Sequence, residues 1–251
     1  MGQGTTALTR RRAVHYLTAP GNPERLATTE FLLLAPVLLF SMVAHEYAHA
    51  EAAYRQGDST AYMLGRLTLN PLKHIDPFMT ILLPAMLWIA SHGTYAFGGA
   101  KPVPVNPRNY RHFVQGDVIV SLAGIATNLL LFAAFTGVFA LLGLVGQALP
   151  AAAAWLEILQ RMAKWGMTLN LVLAFFNLIP IPPLDGSHVL YHLLPPEAGQ
   201  RFNQLYRLGF FPILLISWLL PGVIEVFLWP AWRLMELGWA AVGGFAIGGA
   251  A

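Results

Sequence analysis

The stretch Phe40–Tyr54, FSMVAHEYAHAEAAY, decides how the chain is read. It continues an apolar run that starts at Phe31, yet it carries His45, Glu46, His49 and Glu51. Ionisable side chains within an apolar membrane helix are costly unless they are paired or used. On a helix, residues four apart share a face, so His45 and His49 sit one turn apart and Glu46 reaches the same pocket from the side. The pattern H-E-x-x-H on a helix supplies two imidazole ligands for zinc and a carboxylate as general base. Neutral imidazoles leave a bound ion Lewis-acidic, and the glutamate takes a proton from the water that the ion activates. Two histidines can also fall at this spacing without a metal, but the apolar surroundings count against that. Glu51 lies near the end of the helix and reads as interfacial.

The rest of the chain agrees with a membrane setting. Of 251 residues, 56% are hydrophobic and 11% charged, where a soluble domain carries about 25% charged residues. A soluble fold of this composition would need a partner over nearly its whole surface. The absence of cysteine excludes disulfides, thiolate zinc sites and cysteine nucleophiles. The net charge of +3 reports topology and lipid headgroups rather than nucleic acid, so no nucleic-acid partner is expected. Five apolar stretches stand out, at about 31–53, 76–92, 117–147, 164–184 and 208–237. All but the second reach the roughly 20 residues a spanning helix needs. The second contains Pro84, and the fifth is interrupted by Pro221 and Pro230, which makes it one kinked span or a bent hairpin. The fold class expected is an all-α polytopic membrane protein of about four to six membrane helices, with short re-entrant or extended strands near the site. Residues 1–28 read as a polar arm, 29–237 as one transmembrane domain and 238–251 as a small-residue tail.

A catalytic zinc usually takes three protein ligands and keeps one position open. The glutamates after Glu51, at 157, 197, 225 and 236, belong to no second ligand motif. Asp58 reads as a turn residue, Asp76 as a helix start before Pro77, and Asp117 as the N-cap of an apolar helix. Asp185 differs. It ends an apolar span broken by Pro180, Pro182 and Pro183, where a carboxylate is costly unless it is paired or ligating. His45, His49 and Asp185 are therefore the expected ligand set.

HEYAH (45–49) together with NLIPIPPLDG (177–186) resembles the site-2 protease family of intramembrane zinc metalloproteases. GRLTLNP (65–71), AKPVPVNP (100–107) and SLAGIATN (121–128) are similar to its compact bacterial branch without PDZ or CBS domains. The resemblance covers about residues 31–192. It implies one Zn2+ per chain held by His45, His49 and Asp185, with Glu46 as the catalytic base. The family's G-P-x-x-N motif falls on Gly124, Ile125 and Asn128, with isoleucine in place of proline. Asn128 and Asn177 become candidates for orienting the substrate carbonyl or oxyanion, and helix–helix hydrogen bonding is their other reading. The implied activity is hydrolysis of a peptide bond within or next to a transmembrane segment of a membrane-protein substrate, as in regulated intramembrane proteolysis. The setting is the lipid bilayer of a bacterial cell membrane. A zinc-binding membrane scaffold or chaperone without proteolytic activity is the alternative. A transporter would spread its ionisable residues along several spans, whereas here they converge.

The ligands impose a topology. His45 and His49 lie toward the end of the first span and Asp185 at the end of the fourth run, so these two helices must run parallel. That needs an odd number of crossings between them, and 76–92 is expected to enter and leave on one face. The site face then carries Arg55, Arg66, Lys73, Lys101, Arg108, Arg111, Arg201 and Arg207, against Arg10, Arg11, Arg12, Arg25, Arg161 and Lys164 opposite. This majority favours a site nearer the cytosol. RLTLN and KPVPV read as extended segments that either pair with an unwound substrate by strand addition or plug the cavity. His188 reads as interfacial or as a neighbour of the metal, and His74 and His112 as solvated or headgroup-facing loop residues.

Overall fold

Helix α1 runs Pro23–Gln56 and passes through Pro36. Gly57, at φ 112°, follows its last residue, in the left-handed conformation that commonly ends helices. The computed structural model describes residues 23–92 and 98–248. After α1 come α2 (Thr60–Met63), α3 (Leu83–Ala90, continuing a π-helical turn Pro77–Leu82), α4 (Phe113–Ala148) and α5 (Ala153–Asn177). The chain continues with α6 (Gly186–Leu193), α7 (Pro196–Asn203), α8 (Phe211–Leu219) and α9 (Pro221–Val242). Thr28–Gln56 and Phe113–Ala148 are long and apolar enough to cross a membrane, and α8 with α9 form a bent pair that passes the same test together. Helix α5 has 25 residues, but Glu157, Arg161 and Lys164 make its first half more polar.

Polar contacts at three levels show that α1 and α5 run parallel. At their starts Glu30 accepts hydrogen bonds from Arg161 and, at 2.7 Å, from Trp165 Nε1. Midway, Asn170 Nδ2 donates to Ser41 Oγ at 2.9 Å. At the far end His45 and His49 meet Asp185, eight residues after the last residue of α5. Helix α4 runs the opposite way. Its Val120 carbonyl lies beside His49, whereas its Phe139 carbonyl is bound by Gln160 near the start of α5. One crossing thus separates the two ligand-bearing helices, as the site demands.

The segment Pro77–Ala90 does not add a second crossing. Its 14 residues rise about 21 Å, short of a hydrocarbon layer of about 30 Å. Trp88 reaches the depth of Phe31 and Trp165, with ring centroids 5.8 and 6.5 Å apart. The chain then returns, since Gly99 N–H binds Met79 O at 3.0 Å and Lys101 N–H binds His74 O at 2.8 Å. A Cβ at Gly98 would lie 2.7 Å from the Met79 carbonyl, so this close return needs glycine. Asp76 opens the segment as expected, accepting from the N–H groups of Phe78 and Met79.

Helices α8 and α9 meet at 96° around Leu220, so the fifth apolar run is a bent pair, and Pro230 sits inside α9 without ending it. The end of α9 packs on α4 and α5 through Trp239 and Val242 against Phe139, Ala163 and Met167. The stretch expected as a tail from residue 238 is helical to Val242. Gln160 anchors the residues beyond that helix, donating to Phe245 O and accepting from Ile247 N–H, both at 2.8 Å. The N-terminal arm expected over 1–28 falls largely outside the described residues, and α1 already occupies 23–28.

No β-strand forms among the described residues. Residues 100–106 are an extended strap along the second half of α1. Val103 packs on Ala50 and Ala61, and Val105 on Ala53 and Tyr110. Pro102 and Pro104 have no N–H. The N–H groups of Lys101, Val103 and Asn106 are taken by His74 O, Glu46 Oε2 and Asp58 Oδ2. Within KPVPV only the Val105 N–H has no acceptor among the described residues, so this stretch has little to offer an added strand and is a poor edge for substrate pairing. Asp58, expected as a plain turn residue, is fully buried beneath the strap and accepts from Asn106 N–H, Asn109 Nδ2 and Thr60 Oγ1.

Burial alone would raise the Asp58 carboxyl, but the hydrogen bonds of Thr60, Asn106 and Asn109 outweigh it and hold the acid below its ordinary value of 3.8. A lowered folded-state value means the stabilisation is fully present above the ordinary value and is lost as pH falls through the lowered one. The strap should therefore loosen on acidification below about pH 4, seen as lost hydrogen-exchange protection at the Asn106 amide after correction for intrinsic rates. Asp58→Ala should remove that protection at neutral pH too, with a stability loss of about 1–3 kcal/mol per donor left unpaired.

Candidate metal centre

His45 and His49 project from α1 against Gly124 of α4. A Cβ at Gly124 would stand 2.5 Å from His45 Cε1 and 2.6 Å from His49 Nε2, so the two rings occupy the space that any other residue would fill. The rings are edge to face, with centroids 4.6 Å apart. His49 Nδ1 lies 2.7 Å from the Val120 carbonyl. A carbonyl only accepts, so the proton of neutral His49 sits on Nδ1 and its Nε2 carries a lone pair. His45 Nδ1 lies 2.5 Å from Asn128 Oδ1, which imposes the same tautomer.

Both Nε2 atoms face each other at 3.0 Å, and each lies 3.3 Å from Asp185 Oδ2. That oxygen is buried and accepts no hydrogen bond. Two lone pairs and an orphaned carboxylate oxygen converge in a poorly hydrated pocket, an arrangement that is costly unless a cation or a proton sits among them. The three ligand atoms all lie within 4.8 Å of one another, and this is the one such group among the described residues. Zinc bonds of about 2.0–2.2 Å in tetrahedral geometry place two ligand atoms about 3.3–3.5 Å apart, close to the spacing here. Two imidazoles and a carboxylate also form a common ligand set of catalytic zinc. The residues fit zinc.

Asp185 is delivered by a short irregular bridge. Helix α5 ends at Asn177, the prolines prevent its continuation, and a turn brings Leu184 N–H onto Ile181 O at 3.0 Å. Helix α6 starts directly after Asp185 and is clamped to α4 by Asp117, whose Oδ2 accepts from His192 Nε2 at 2.7 Å and His188 Nδ1 at 3.2 Å. Asp117 is thus no N-cap. Helix α4 begins four residues earlier at Phe113, and Asp117 is buried within it. Sequence reasoning missed this clamp. The signal was present, because His188 and His192 repeat the four-residue spacing of His45 and His49. His74, expected in solvent, is fully buried and bound to Thr68 O at 2.8 Å.

Glu46 stands beside the ligands, half-buried. Its Oε2 accepts the Val103 N–H of the strap at 2.7 Å, which leaves Oε1 without a protein hydrogen bond among the described residues. Asn128 is fully buried, its oxygen on His45 and its Nδ2 on Asn170 Oδ1 at 2.8 Å. It touches His45 and has no surface to offer a substrate. Asn177 is half-buried at the end of α5 and donates to Leu173 O at 2.9 Å. Ile125, where the family motif has proline, is buried in an unbroken α4.

Membrane-crossing helices that bring two imidazoles, a half-buried carboxylate and an adjacent glutamate to one point define a zinc metalloprotease of the membrane. The chain belongs to peptidase family M50, whose profile matches residues 33–216. It is 39% identical over 191 residues to the candidate zinc metalloprotease YwhC of Bacillus subtilis, covering 76% of this chain and 81% of that protein. It is 34% identical over 188 residues to a protein of Mycolicibacterium smegmatis, the candidate zinc metalloprotease Rip2, covering 74% and 66%. Rip3 of Mycobacterium tuberculosis, named in the same way, matches at 32% over 156 residues, 62% of this chain and 29% of that protein. No solved structure matches significantly. The resemblance to site-2 proteases is thereby borne out.

Gly124→Ala should push the imidazoles apart. Zinc per chain after purification in detergent is expected to fall well below one, with the helical circular dichroism signal retained.

Proposed function

We propose that the chain is an intramembrane protease that hydrolyses a peptide bond within or next to a transmembrane segment of a membrane-protein substrate. The observation that carries this reading is the convergence of His45, His49 and Asp185 beside Glu46, among helices of which two are long and apolar enough to cross a membrane. In this proposal His45 Nε2, His49 Nε2 and Asp185 Oδ2 hold one zinc ion. When bound, zinc supplies Lewis acidity toward a water molecule and the scissile carbonyl. Glu46 Oε1 takes the proton of the attacking water and gives it to the departing amide nitrogen. Val103 N–H keeps Oε2 occupied and so presents one oxygen of Glu46 to that proton. Asn177 remains the residue proposed to orient the substrate carbonyl. With KPVPV committed to α1 and Glu46, RLTLN is the segment left for substrate pairing.

The site-end basic residues Arg55, Arg66, Lys101, Arg108 and Arg111 support an active site on the cytosolic side of the cell membrane. The rival reading, a zinc-binding scaffold for membrane helices, keeps the ion and has no use for Glu46. The two separate cleanly. Glu46→Gln should retain one zinc per chain, while cleavage of a generic single-span substrate in detergent falls by roughly 10²–10⁴-fold. Cleavage at the native rate by that variant would remove the protease reading.

A further inference from the structure

Three side chains with no exposed surface form a hydrogen-bonded line from the lipid-buried middle of the bundle to the metal centre. Ser41, Asn170 and Asn128 come from α1, α5 and α4, and all are 0% exposed. Asn170 Nδ2 donates to Ser41 Oγ at 2.9 Å and to the Gly166 carbonyl at 2.8 Å. Asn128 Nδ2 donates to Asn170 Oδ1 at 2.8 Å, and Asn128 Oδ1 faces His45 Nδ1 at 2.5 Å.

The order of donors along this line has a fixed end. Gly166 O is a backbone carbonyl and can only accept, so the amide nitrogen of Asn170 must be the group that faces it. Asn170 Oδ1 is then committed to face Asn128, which turns the nitrogen of Asn128 toward it. Asn128 Oδ1 is thereby left for His45, and His45 must carry its proton on Nδ1. Its Nε2 keeps the lone pair that points at His49 and Asp185. Reversing either amide would set oxygen against oxygen or nitrogen against nitrogen where no water can intervene, which a dry interior disfavours.

We infer that Asn170 is a positioning residue for the metal centre: through Asn128 it relays the acceptor character of the Gly166 carbonyl to His45 and holds that imidazole in the metal-binding tautomer. Asn170 itself touches neither a ligand nor the reacting atoms. Ser41 is dispensable to the relay, because Gly166 alone sets the direction of Asn170. The zinc arm of the test rests on the metal-centre reading above, and the tautomer arm does not.

The experiment is nitrogen NMR of 15N-histidine-labelled, metal-free protein in detergent, with His45 assigned by its loss in His45→Ala. A zinc titration against a competing chelator runs beside it. In the wild type, His45 should carry its proton on Nδ1. Asn170→Leu frees the Asn128 amide to turn, so a His45 population protonated on Nε2 should appear and zinc should bind about 10–100-fold more weakly. Asn170→Asp still presents an oxygen to Asn128 and should keep the wild-type tautomer, as should Ser41→Ala with near-native zinc affinity. A mere packing role predicts the reverse order, with leucine tolerated and aspartate harmful. An unchanged His45 tautomer in Asn170→Leu overturns the inference. Should that variant fail to fold, a switched tautomer in Asn170→Asp overturns it instead. If the wild type binds no zinc, it is the metal-centre reading that fails, and the tautomer result still judges the relay.

Discussion

Two imidazole lone pairs and one carboxylate oxygen, brought within 3.0–3.3 Å of each other among apolar helices, are tolerable only with positive charge between them. The rest of the structure follows from delivering those three atoms to one depth. The helices that carry them must be parallel, so the connection between them must cross the membrane once. Helix α4 makes that crossing. The segment Pro77–Ala90 dips in and returns, and the tie from Lys101 to His74 closes its mouth. The same demand explains Gly124, where α4 must come closer to the rings than any side chain permits.

What the sequence made legible were residues whose chemistry clashed with their surroundings. His45, Glu46, His49 and Asp185 stood out because ionisable groups in apolar runs demand a reason, and spacing supplied one. The parallel path of α1 and α5 followed from the ligand set alone. Other features were hidden because they depend on partners far away in the chain. Asp117 looked like a helix cap, since the apolar run begins just after it, and the true helix start lies one turn earlier. Asn128 could be read for substrate or for helix–helix hydrogen bonding, because a carboxamide serves either until its depth is known, and its bond to Asn170 is of the second kind. KPVPV was plainly extended, but nothing local revealed that its central N–H would end on Glu46, 57 positions away.

The strap and the clamp divide the work of holding the site. The α6 clamp, Asp117 with His188 and His192, fixes the chain just beyond Asp185. The strap fixes Glu46 through a backbone group, which no side-chain change at Val103 short of proline removes. The strap tie joins a backbone N–H to a side chain of α1, and the clamp joins side chains of α6 and α4. The polar groups of the site thus serve twice, satisfying one another's hydrogen-bonding demand and limiting the positions open to the Glu46 carboxylate.

The ion pair of Glu30 with Arg161 has a further consequence. These groups sit at the starts of α1 and α5 together with Trp165. From Glu30 to His45 and His49 the helix rises about 22–28 Å, nearly the full hydrocarbon thickness of about 30 Å. The pair therefore sets the register of α1 against α5 along almost all of that length. A slip of one helical turn, about 5.4 Å, would part the Glu30 and Arg161 charges and draw both imidazoles off the Asp185 carboxylate in the same stroke.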